Sequence, residues 1–167
     1  MKESDSQSLE ILKSAILLEK RGHAFYSKMA EMTTNSAAKE FFLHMASDEA
    51  LHVEILSNQF IALKNEGKFV EEKYAANHSV VNEVLSETIK ASISASSYEA
   101  AAISSAIDFE KRAMDLYSKR AKEASNKEEK QLYTWLSEFE MGHLDKMVKL
   151  DEELREKVWN DQSFWPM

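Results

Sequence analysis

Hydrophobic residues recur in steps of three and four along four long segments of the chain, which is the period of an amphipathic helix facing a core. Short polar stretches separate the first segment from the second and the third from the fourth. We therefore predict four long helices, each with one stripe turned inward. They cover about Ser8–Met32, Ser36–Asn65, Tyr98–Ala124 and Lys127–Lys157.

The connections between these helices set the predicted topology. Asn35 or Ser36 can cap the second helix, and Gly67 follows its end. Residues 66–97 are less periodic, and the stretch "HSVVNEVLSETIKAS" predicts one short helix inside a long crossover. Two helix pairs with short internal turns and one long crossover describe an all-α four-helix bundle.

Composition narrows the class of protein. The 167 residues are 44% hydrophobic and 30% charged, with one proline and three glycines, which fits a globular helical domain. A net charge of −8 disfavours nucleic acid and anionic membrane surfaces as partners. The absence of cysteine excludes disulfides, thiolate zinc sites and iron–sulfur or rubredoxin-type centres within these residues. The polar first ten residues lack the apolar part of a signal peptide, so we expect a cytoplasmic protein without a membrane span.

The two halves of the chain carry the same polar residues on their inward-facing stripes. Residue n of the first half corresponds to residue n + 91 of the second, since "EKRGHAFYSK" begins at Glu19 and "EKRAMDLYSK" begins at Glu110. A Glu-x-x-His motif follows each of these glutamates after 30 residues. The offset also pairs Glu49 with Glu140, His52 with His143, and Tyr26 with Tyr117.

This repeat predicts the organisation of a single domain over residues 1–167. Repeat one covers about residues 8–65, the crossover 66–97, repeat two about 98–157, and an aromatic tail 158–167. Two helix pairs with matched polar groups at one depth imply a pseudo-two-fold axis through a shared site.

Six ionisable residues turned into a bundle core indicate metal binding. A buried carboxylate alone is driven to its neutral form, and four facing carboxylates also repel one another. Two divalent cations balance the four negative charges. Glutamate and histidine at i and i+3 lie on one helix face and can hold one ion together, while the two lone glutamates can ligate terminally or bridge. The predicted ligands are Glu19, Glu49, His52, Glu110, Glu140 and His143.

The six-residue set resembles the ligand pattern of rubrerythrin-type members of the ferritin-like di-iron superfamily. The resemblance covers about residues 8 to 155 and includes a tyrosine seven residues after each lone glutamate. It implies a ferritin-like fold with two metal ions per chain, iron first and manganese or a mixed pair as alternatives. It also implies a redox protein that reduces hydrogen peroxide or dioxygen.

The chain departs from rubrerythrins proper in two respects. It lacks their rubredoxin module, and it has Ala113 and Ile107 where they carry an extra carboxylate on the third helix. Electrons must then come from an external donor protein or a small reductant. Two alternatives stay open: a ferroxidase or storage protein of the ferritin or bacterioferritin type, and a non-enzymatic helical interaction module. We expect a homodimer for an enzyme, whereas storage requires a closed shell.

Residues next to the predicted ligands have two interpretations each. Tyr26 and Tyr117 are either plain core aromatics or partners of the metal ligands. His23 has Met114 as its repeat mate, so we interpret it as structural. Close helix packing or room for a metal-bound oxygen species explains the helix-interior glycines Gly22 and Gly142 equally well. The repeated basic residues point away from the inward stripe and are interpreted as solvated: Lys20, Arg21, Lys111 and Arg112.

Overall fold

A computed structural model of the chain describes residues 3–74, 83–94 and 97–160. This part of the chain forms five helices and no strand, and none of the helices is long and apolar enough to cross a membrane. The predicted all-α bundle of two helix pairs and a crossover helix is confirmed. The helices are α1 (Glu3–Met32), α2 (Ser36–Glu66), α3 (Glu83–Ser92), α4 (Tyr98–Glu123) and α5 (Lys127–Asn160). Most of the predicted aromatic tail, residues 161–167, lies outside the described residues.

The predicted helix boundaries agree with the structure to within one residue except at the start of α1 and the end of α5, where the predicted helices are too short. α2 and α4 end within one residue of the predictions, whereas α1 begins at Glu3 instead of Ser8 and α5 continues to Asn160 instead of Lys157. Hydrophobic periodicity marks a helix only where it faces a core. A helix can extend by backbone hydrogen bonds beyond its last buried turn.

Both ends of α2 are defined by local chemistry. The Oδ1 atom of Asn35 accepts a hydrogen bond from the Ala38 N–H at 2.9 Å, so Asn35 and not Ser36 is the N-cap. Gly67 adopts φ 69°, the left-handed conformation that glycine enters without steric cost, and its N–H donates to the Leu63 carbonyl at 3.0 Å. The helix therefore stops at Glu66, where the crossover begins.

The helices pair as the short connections predict. α1 packs along α2 and α4 along α5, while α3 packs against α2 and α5 and so ties the crossover to both pairs. Ile89 and Ile93 of α3 are buried in this contact, and Lys90 lies 2.8 Å from Glu153 of α5.

Two apolar clusters fill the bundle on either side of one polar layer. One cluster contains Tyr26, Phe42 and Ile103, and the other contains Leu12 and Tyr117. Along each long helix, the predicted metal ligands fall between the residues of one cluster and those of the other. The polar layer is thus enclosed by apolar side chains at both ends, which removes it from water.

Candidate metal centre

The six predicted ligands meet in the polar layer, and none is more than 2% exposed. α1 and α4 each contribute one glutamate, and α2 and α5 each contribute a Glu-x-x-His pair on one helix face. Their possible ligand atoms form two groups, and the atoms of each group all lie within 4.8 Å of one another. The first group comes from Glu19, Glu49, His52 and Glu140, and the second from Glu49, Glu110, Glu140 and His143.

The overlap between these groups distinguishes the roles of the four carboxylates. Glu49 and Glu140 belong to both groups, whereas Glu19 and Glu110 each belong to one. Of the two roles that the sequence left open for the lone glutamates, this arrangement favours terminal ligation over bridging. Metal binding by these residues stays a prediction.

Without bound cations, protons on the buried carboxyl and imidazole groups reduce the electrostatic repulsion within the cluster. Burial, followed by the charges of neighbouring carboxylates, raises the pKa of Glu49 and of Glu110 well above the usual range. Burial also disfavours charge on Glu140 and His52, but their mutual attraction outweighs it. The pKa of Glu140 is therefore held well below its ordinary value, and that of His52 rises to about 10.

Several buried atoms of the cluster lack a hydrogen-bond partner among the described residues. They are both carboxylate oxygens of Glu49 and of Glu140, Oε2 of Glu110, Nε2 of His52 and Nδ1 of His143. Buried polar atoms are ordinarily paired, because leaving them unpaired is costly. Coordination of cations by the carboxylate oxygens and by Nδ1 of His143 would satisfy all of them except Nε2 of His52, which lies on the far side of its ring, so the residues present fit a pair of metal ions.

Two tyrosine hydroxyls bind the terminal carboxylates across the bundle. Tyr26 of α1 donates to Oε1 of Glu110 on α4, and Tyr117 of α4 donates to Oε1 of Glu19 on α1. Burial first, and then the facing carboxylate, raises the pKa of both tyrosines, so each remains a protonated donor. The tyrosines are therefore partners of the predicted ligands as well as core aromatics.

Asp48 is a residue of the site that the sequence analysis missed. Its Oδ2 lies 3.0 Å from Nε2 of His143, on the side of the imidazole turned away from the cluster. The repeat could not reveal it, because residue 139 at the matching position is Phe. A signal was present in the helical spacing, since Asp48 lies four residues before His52 and so on the same face of α2.

Phe139 packs edge-on against the imidazoles of both histidines, but only His143 also contacts Asp48. The His52 ring lies at a centroid distance of 4.6 Å from Phe139 and 5.6 Å from Trp135, and the His143 ring lies 5.0 Å from Phe139. Trp135 stacks on Tyr74 at 4.9 Å, and these two rings line an open groove of about 540 Å³. An aromatic layer therefore separates His52 from the surface.

The structure also distinguishes the interpretations of residues near the ligands. His23 lies with Nδ1 2.8 Å from the Ala46 carbonyl, a contact between α1 and α2 that agrees with a structural role. A Cβ atom on Gly22 would lie 2.7 Å from Phe109 and 2.8 Å from Oε2 of Glu49, so close packing accounts for this glycine. The four basic residues interpreted as solvated are exposed: Lys20, Arg21, Lys111 and Arg112.

A family model described as Rubrerythrin matches residues 10–151, a span that contains all six predicted ligands and Asp48. No curated protein and no solved structure gives a significant match to the chain.

Proposed function

Because the chain belongs to the rubrerythrin family, we propose that it is a di-iron carboxylate protein that reduces hydrogen peroxide or dioxygen at a two-metal centre. The observation that carries the proposal is the pair of buried four-residue groups that share Glu49 and Glu140. Electrons come from an external donor protein or a small reductant, since a chain without cysteine holds no iron–sulfur or rubredoxin-type centre of its own.

The residues divide into two equal sets around the shared carboxylates. Glu19 and His52 would hold one ion and Glu110 and His143 the other, and Glu49 and Glu140 lie within reach of both. Four carboxylates balance the charge of two divalent ions, which removes the repulsion between the buried carboxylates. Carboxylate and imidazole ligands suit iron best here, with manganese or a mixed pair as alternatives.

The protein's own part in the chemistry is to bind, orient and exclude water. Iron, when bound, supplies the electrons that break the O–O bond, and each peroxide takes up two electrons and two protons to form two water molecules. Tyr26 and Tyr117 each engage one oxygen of a terminal carboxylate and leave the other oxygen for ligation. The apolar clusters above and below the ligands keep bulk water from the reacting oxygen atoms.

Metal analysis of the purified protein, followed by peroxide addition to the reduced protein, tests the proposal. We expect about two iron ions per chain and stoichiometric consumption of peroxide. The double variant Glu49→Ala/His52→Ala should lose metal and peroxide turnover, whereas the exposed-site control Lys111→Ala should keep both. Unchanged metal content and unchanged melting in the double variant would rule the metal centre out and favour the interaction module.

One observation favours a ferroxidase or storage protein as the second candidate. Ala113, at the position of the family's extra carboxylate, is buried beside the centre and gives it no further ligand. Size-exclusion chromatography and iron loading distinguish the candidates. A homodimer that stops at two ions per chain supports the reductase, whereas a closed shell that takes up far more iron supports storage.

A further inference from the structure

We propose that the two metal positions are inequivalent and that Asp48 makes the position at His143 the tighter one. The inference rests on the metal centre proposed above and adds a positioning residue and an order of filling to it. It comes from a place beside the polar layer where the two repeats differ in charge, Asp48 on α2 against Phe139 on α5.

The environment of His143 prepares its imidazole to bind a cation. Nδ1 faces the cluster, 3.4 Å from Glu140, and Nε2 faces Asp48 at 3.0 Å. An imidazole that binds a cation through Nδ1 carries its proton on Nε2, and here that proton is donated to Asp48. A carboxylate in this position fixes the tautomer and the ring orientation and increases the basicity of the ligating nitrogen.

The environment of His52 lacks this preparation. Its Nδ1 also faces the cluster, 3.1 Å from Glu19 and 2.9 Å from Glu140. Its Nε2 is buried and has no hydrogen-bond partner among the described residues, while the Phe139 ring packs against the imidazole. A proton on that nitrogen stays unpaired in an apolar environment, which makes this tautomer unfavourable and the imidazole a weaker ligand.

The remaining ligands do not produce this difference. Each terminal glutamate receives a hydrogen bond from one buried tyrosine, and both groups share the same two carboxylates. Asp48 and Phe139 occupy matching positions of the repeat, at the offset of 91 residues. Phe139 packs edge-on against both imidazoles, at centroid distances of 4.6 Å from His52 and 5.0 Å from His143, so this ring is common to both histidines and the Asp48 carboxylate is not.

Zn²⁺, a redox-inert divalent ion, is the probe for the test. Titration calorimetry of the metal-free protein should resolve two steps, the first about 10- to 100-fold tighter, the range that such outer carboxylates contribute. Histidine NMR signals at one equivalent of Zn²⁺ identify the position filled first, and those of His143 should shift before those of His52. Equal affinities, or His52 responding first, overturn the inference.

Two variants with a packing control assign the difference to Asp48. Asp48→Asn should weaken only the tighter step by about 10- to 100-fold, so that the two steps merge. Phe139→Asp should tighten the weaker step, and Phe139→Leu, which removes the ring without adding a carboxylate, should not. An Asp48→Asn variant that binds both ions as the parent does contradicts the inference and leaves the metal centre standing. A parent protein that binds no Zn²⁺ contradicts both proposals.

Discussion

The two halves of the bundle present the same ligands in different surroundings. Each half supplies one lone glutamate, one Glu-x-x-His pair and one tyrosine that binds the other half's glutamate. Around this common set the halves differ in charge, in size and in polarity. The differing pairs are Asp48 and Phe139, Gly22 and Ala113, and Phe42 and Tyr133.

Comparing the halves shows which residues affect both ligand groups and which affect only one. Glu49 and Glu140 lie in both ligand groups, so a change in either affects both halves. Asp48 contacts His143, which lies in one group only, whereas Gly22 lies beside the shared Glu49. In a protein with an internal repeat, matching positions can carry different residues, because each half packs against its own neighbours.

The largest expected effect comes from removing a shared carboxylate. Glu140→Gln should reduce the bound metal from two ions per chain to less than one, because this residue lies in both ligand groups and contacts both histidines. Glu19→Gln, a terminal change of the same chemistry, should leave one ion in place. Metal analysis after dialysis measures both. Equal losses in the two variants would contradict the division into shared and terminal carboxylates.

Metal removal should make the stability of the protein depend on pH. The folded-state pKa of His52 is about 10, above its unfolded value of 6.5, so its contribution is complete below pH 6.5 and is lost as pH rises towards 10. The raised pKa values of Glu49 and Glu110 act in the same direction, starting from about pH 4.5. The free energy of unfolding of the metal-free protein should therefore fall by on the order of 4 kcal/mol over that range.

Denaturant unfolding at several pH values, with and without metal, measures this effect. The metal-bound protein should be more stable and should lack the decline above pH 6.5, because cations then replace the protons. Metal-free protein that becomes more stable between pH 6.5 and 10 would contradict the electrostatic account.

Exchanging Gly22 and Ala113 tests the steric difference between the halves. Gly22→Ala should lower the free energy of unfolding of the metal-bound protein by about 2 kcal/mol, because the new Cβ meets Phe109 and displaces the Glu49 carboxylate from the cluster. That loss should exceed the gain in helix propensity of about 1 kcal/mol. The matched variant Ala113→Gly should cost about 1 kcal/mol and retain its metal. A more stable Gly22→Ala protein with full metal content would refute the close-packing account.

Removing the tyrosine hydroxyls should have a smaller effect than Gly22→Ala and should be nearly equal in the two halves. Tyr26→Phe and Tyr117→Phe each remove one hydrogen bond to a terminal carboxylate, worth about 1.5 kcal/mol for a charged acceptor. Urea unfolding of the metal-bound variants measures the cost. A loss confined to one variant would show that the pseudo-two-fold relation does not extend to these hydrogen bonds.

The fold was predictable because its signals are local. Four long periodic stripes, short turns inside each pair and one long crossover led directly to the bundle that the structure shows. The errors are at the start of α1, Glu3, and at the end of α5, Asn160, where each helix extends beyond the hydrophobic periodicity of its sequence.

The sequence by itself determined the helices, their pairing and the six residues that meet in the polar layer. These depend on spacing along one helix and on the repeat of 91 residues, which requires no knowledge of how helices are rotated against each other. Both ligand pairs and both tyrosines were identified in this way.

Only the tertiary structure decided which carboxylates lie in both ligand groups, which glutamate each tyrosine binds, and that Asp48 contacts His143. These are contacts between different helices, and the rotation and depth of each helix follow from side-chain packing across the whole bundle. Two positions that match in the repeat therefore have different contacts: Asp48 lies against His143, whereas Phe139 packs against both His52 and His143.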